Sequence, residues 1–136
     1  MVFNLKTLAL INLSVQLLLI LLLNYAVFLA KKRDLHKHCT IIRIASVIQI
    51  AAIVAIMWES LLGYLGNDAP DLLFNMELLI HHSLGILVIL LWIYINLVYA
   101  RFIRSRGNFK NAMKLAYIVW MFTFIIGLHI YIQIYL

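Results

Sequence analysis

Glu77, His81, His82 and Gly85 stand in one long apolar stretch of the chain, and His129 stands in another. Ionisable side chains within a membrane-spanning segment are costly, face a protein interior, and mark ion paths, cofactors or metals, so this set is the first place to look for chemistry. On a helix Glu77, His81 and Gly85 fall at i, i+4 and i+8 and share a face, with His82 about 100° around it. Imidazole is a common axial ligand of haem iron, and a helical bundle can hold a planar cofactor between facing helices. The chemistry expected is a b-type haem near the outer membrane face, held by His82 or else His81 on one helix and by His129 on the next. Gly85 and Gly127 would leave bare backbone where a macrocycle approaches. Glu59 and Glu77 are expected to line the pocket. The same donors would also suit copper or zinc, and the third expectation is a purely structural one, with these groups paired across helix interfaces and no cofactor.

Long apolar helices must position these residues. The 136 residues are 66% hydrophobic and 12% charged, and the mean hydropathy is +1.05. One soluble core of this size could not hide so much apolar surface, so the chain is a membrane protein. Apolar runs long enough to cross a bilayer, about 20 residues at 1.5 Å each, cover roughly 7–30, 40–64, 75–100 and 112–136. The expected fold is all-α: a single integral-membrane domain in which four helices run up, down, up and down as a bundle. The depth of the histidines follows from the same reading. His82 is seven residues after Asn75, and His129 is seven residues before Leu136, which puts both about 10 Å from one boundary. Glu59, about six residues before the outer end of the second span, falls near the same level.

Charge orients the bundle. Of the 11 lysines and arginines, Lys31, Lys32, Arg33, Lys37 and Arg43 cluster at the first connection and Arg101, Arg104, Arg106, Lys110 and Lys114 at the third; Lys6 alone lies on the other side. The positive-inside rule therefore makes segments 31–39 and 101–111 cytoplasmic and both termini outward, as expected of a multi-pass protein of the cell membrane. The net charge of +6 is a matter of topology, and no soluble basic domain is present to bind nucleic acid. The first span is expected to be retained, because its apolar run is longer than that of a signal peptide and its cations follow it.

The remaining polar residues read as packing or as solvated surface. Asn12, Ser14, Gln16 and Asn24 on the first helix suit hydrogen bonds between helices. His36, His38 and the single Cys39 read as a solvated loop at anionic headgroups, ahead of a His-x-His-Cys metal site. Ala52, Ala55, Glu59 and Gly63 form a stripe of small residues that brings Glu59 inward. Trp92, Tyr94 and Tyr99 read as packing and interfacial aromatics. Gly66–Asp71 has the composition of a turn. The sequence holds no nucleotide-binding loop, nucleophile elbow or HExxH, so no catalysis by the chain alone is expected. With little of the chain outside lipid, the partners expected are the bilayer and other membrane subunits.

With its spans placed, the chain resembles the small four-helix membrane family that includes the CtaM-type assembly factors of haem-copper oxidases, over about residues 30–135. The resemblance lies in Lys31-Lys32-Arg33-Asp34-Leu35-His36, in His82 near the outer start of the third span, in the basic third loop, and in the fourth span with Trp120, Gly127 and Tyr131. The family's third-span histidine matches His82 better than His81. It carries another in the third loop, where this chain reads Gly107-Asn108-Phe109-Lys110, and does not require one at the place of His129. The resemblance implies association with respiratory oxidases, as a subunit or an assembly factor. The haem comes from the placement of His129.

Overall fold

The computed structural model describes residues 4–59, 62 and 72–136. The fold is all-α, with α1 over Leu5–Lys31, α2 over Leu35–Ala52, α3 over Leu72–Tyr99 and α4 over Phe109–Tyr135. A π-helical segment, Ile53–Met57, continues α2. Among the described residues four stretches are long and apolar enough to cross a membrane: Lys6–Lys31, Leu35–Met57, Asn75–Tyr99 and Phe109–Tyr135. This is the four-span class expected from hydropathy. The turn expected at Gly66–Asp71 lies outside the described residues, as does Gly63. The chain divides into two compact units, one built on α1 and α2 and the other on α3 and α4.

In the first unit, α1 starts where the Asn4 side chain accepts the Lys6 N–H, supplying one of the acceptors that a helix N-terminus lacks. It ends with Arg33 in the left-handed region, φ 61°, and with the Asp34 N–H donating to the Leu29 carbonyl, a wrap that satisfies the last turn. Asp34 at once caps α2 by accepting the Lys37 N–H. The second span consequently begins at Leu35, five residues before the expected Thr40. His36, His38 and Cys39 are thus helical residues, and the solvated-loop reading fails for His38, which is buried with its Nδ1 2.7 Å from the Ala26 carbonyl.

The core of this pair sets large residues of α1, Leu19, Leu23 and Leu29, with the small Ala45 and Ala52 of α2. Small residues let helices approach closely in lipid, where no hydrophobic force drives them together. Gln16 donates to Gln49 across the pair at 2.7 Å. Past Ala52 the π-helical segment shifts the side-chain register, because its i→i+5 bonds take more residues per turn. The stripe read as Ala52, Ala55 and Glu59 therefore breaks. Ala52 is buried, whereas Ala55 and Glu59 are exposed, so Glu59 does not face inward as expected.

In the second unit, α3 closes as α1 does, with Arg101 at φ 61° and the Phe102 N–H on the Leu97 carbonyl. Asn108 caps α4 through the Lys110 N–H. Between the helices, Trp92 and Trp120 meet edge to face, ring centroids 4.6 Å apart and planes at 78°. Both indoles are buried with Val88, Ala116 and Val119. Trp92 is thus core packing, and Tyr94 holds the following turn by accepting the Arg106 N–H.

Candidate functional site

The second unit carries a polar cluster where α3 and α4 pass antiparallel. Glu77 and His81 stand one turn apart on α3, and Thr123, Gly127 and His129 answer them from α4. His81 is half-buried, and its Nδ1 lies 3.0 Å from the Thr123 main-chain oxygen. A carbonyl can only accept, so Nδ1 carries the proton and donates. Gly127 makes this contact available. A Cβ on a helix tilts toward the N-terminus and covers the turn before it, and at Gly127 that turn holds the Thr123 carbonyl. A Cβ built there would lie 2.7 Å from His81 Cε1. The bare backbone at Gly127 is therefore taken up by an imidazole, which corrects the expectation that it faces a macrocycle. Beside Gly85 no atom of the described residues comes within 4 Å of such a Cβ.

His129 Nδ1 is 2.5 Å from Glu77 Oε1, an ion pair when both groups are charged, with the histidine side chain 57% and the carboxylate 23% exposed. Depth counted from the helix ends set His129 opposite His82. The observed contacts set it opposite Glu77, a little over one turn away. The boundary count fails because α3 begins at Leu72, ahead of the assumed Asn75, and because helices pack by side-chain fit and need not align their ends. His82 gives its Nδ1–H to the Leu78 carbonyl one turn back on its own helix, 2.8 Å away. Its ring stands nearly perpendicular to that of His81, at 87° and 5.6 Å between centroids.

All three imidazoles of the cluster thus have Nδ1 engaged by an oxygen. A neutral ring that donates from Nδ1 presents its lone pair at Nε2. Ligating histidines are held in this manner, with the second ring nitrogen given to a carboxylate or a carbonyl. Among the described residues no group of three His, Cys, Asp or Glu side chains is close enough to share a metal ion. A bare copper or zinc centre built by this chain needs at least that many protein ligands.

Sequence reading found Glu77, His81, His82 and His129 but missed Thr123, whose contribution is a main-chain oxygen and leaves no side-chain signature. It also missed the tie between His38 and α1. The signal available there was Asp34, a capping residue that moves the helix start upstream and carries His38 onto α2. Glu59 belongs to the first unit. Comparison with protein-family models, with curated proteins and with solved structures returns no match for the chain.

Proposed function

We propose that this chain is a small multi-pass protein of the cell membrane, belonging to the respiratory oxidase system, whose His82 and His129 would hold a b-type haem near the outer membrane face. The observation that carries the reading is the Nδ1 engagement of both rings, by Leu78 O and by Glu77 Oε1, which leaves each Nε2 free to ligate. The bare backbone at Gly85, one turn beyond His82, supports it. A bound haem supplies one-electron redox chemistry. The chain's own residues hold the imidazoles, with His81 keyed into Gly127 to steady α3 against α4. The resemblance to the oxidase assembly family adds the expected partners, other membrane subunits of such a complex. The many exposed leucines and isoleucines suit lipid and such neighbours alike.

A second reading, a cofactor-free accessory subunit or assembly factor, is favoured by one observation. The bonds His81 to Thr123 and Glu77 to His129 tie α3 to α4 without any cofactor. A reduced-minus-oxidised spectrum of the purified chain, with metal analysis and a haemin titration, separates the two. A low-spin haem band is expected, and its absence at saturating haemin leaves the accessory reading.

The orientation proposed has outward termini and inward basic turns, from the ten-to-one division of lysine and arginine. An impermeant thiol reagent outside intact cells should spare Cys39 and label a cysteine added after Leu136. The reverse pattern would overturn it.

A further inference from the structure

His82 and His129 are not equivalent. His82 gives its ring proton to a neutral carbonyl of its own helix, but His129 meets a carboxylate from the neighbouring helix. An ionised carboxylate can only accept, so it draws the proton to Nδ1 and leaves the lone pair at Nε2. It also makes the ring a more basic ligand, as carboxylate partners of ligating histidines do. In lipid the bond gains further weight, because a carboxylate without a donor is costly there and the Nδ1–H supplies one. The pair links α3 to α4 one turn before His81 reaches Thr123, so it fixes where the His129 ring stands.

We infer that Glu77 is the positioning residue of the site: its carboxylate sets the tautomer and orientation of His129 and makes Nε2 of that ring the stronger of the two candidate ligands. The consequence for ligation rests on the haem reading, while the tautomer does not.

The test is nitrogen-15 spectroscopy of the full chain with labelled histidine, in lipid nanodiscs, followed by haemin titration of the same samples. In the unsubstituted protein His129 should show Nδ1 protonated and Nε2 bare. Glu77→Gln keeps an oxygen that accepts the same proton, so the tautomer should persist while the charge is lost, and the haem midpoint potential should move positive. Glu77→Leu removes the acceptor. His129 should then take up the Nε2–H form, and haemin affinity should fall by about 10–100-fold, the usual cost of deleting an outer-shell partner. The His81 signal, set by Thr123, should not change in either variant and reports that the hairpin is still folded. Nε2–H or a doubly protonated ring at His129 in the unsubstituted protein would overturn the inference. So would a Glu77→Leu variant with tautomer and affinity unchanged, and in that case haem binding itself would stand. Should the protein take up no haem while the tautomer follows Glu77, the haem reading falls and the carboxylate's control of His129 remains.

Discussion

The two hairpins keep polar groups in lipid by different means. The first joins its helices through neutral groups, amide to amide at Gln16 and Gln49 and imidazole to carbonyl at His38 and Ala26. The second sets a carboxylate and three imidazoles within two turns of α3 and their partners on α4. Hydrogen bonds between helices in lipid contribute about 0.6–1.7 kcal/mol, which an amide pair supplies. A charged Asp, Lys or Arg at the centre of a membrane-spanning helix costs about 2.5–3.5 kcal/mol on insertion scales, which shows the sign of the cost for a charged carboxylate nearer the face. His81 on Thr123 repeats the device of His38 on Ala26, so the Glu77–His129 pair is what sets the second hairpin apart. The difference is a carboxylate set against an imidazole in the second hairpin, and the proposed function gives that pair its work in ligation.

The largest effect should separate the hairpins outright. If the chain holds haem as proposed, His129→Ala should abolish low-spin haem absorption or convert it to high spin, whereas His38→Ala should leave the spectrum as it is. Identical spectra for all three proteins would erase the functional contrast.

Next in size is Gly127→Ala. The new Cβ strikes His81 Cε1, and overpacking of this kind costs about 1–3 kcal/mol. That outweighs the gain of about 1 kcal/mol from alanine's helix propensity. Net destabilisation of up to about 2 kcal/mol is expected in reversible unfolding from mixed micelles, with His81 released from Thr123. A more stable variant would show that the ring is not held there.

Gln49→Leu probes the scaffold side. It should cost roughly 0.6–1.7 kcal/mol by breaking the amide pair while haem uptake stays intact. Loss of haem from the folded variant would mean that the first hairpin also shapes the site.

The smallest effect has the opposite sign and should be alike in both hairpins. Arg33 and Arg101 each occupy a left-handed position at the end of a helix, where a Cβ is penalised and glycine is the usual residue. Arg33→Gly and Arg101→Gly should each stabilise by about 0.5 kcal/mol, since glycine returns part of the gain as entropy of the unfolded chain. Arginine at these sites fits the proposed topology, which needs cations at both turns. A stabilisation in one hairpin alone would show that the two turns are not built alike.

Much of the fold was legible because lipid imposes a simple rule: backbone groups must bond internally over a length matching the membrane. Hydropathy alone therefore determined four helices and the all-α class. It also marked Glu77, His81, His82 and His129, since the cost of burying an ionisable group does not depend on knowing its partner. Their partners were decided by tertiary structure. Which imidazole fills the gap at Gly127, that His129 meets Glu77 and not His82, and that His38 reaches Ala26 all depend on the offset between antiparallel helices. That offset is set by side-chain interlocking, such as Trp92 against Trp120, and a count from the helix ends misses it by more than a turn. Glu59 shows the same limit within one helix. Its expected face rested on uniform 3.6-residue turns, and the π-helical segment at Ile53–Met57, which no periodicity in the sequence announces, carries it to the exposed side.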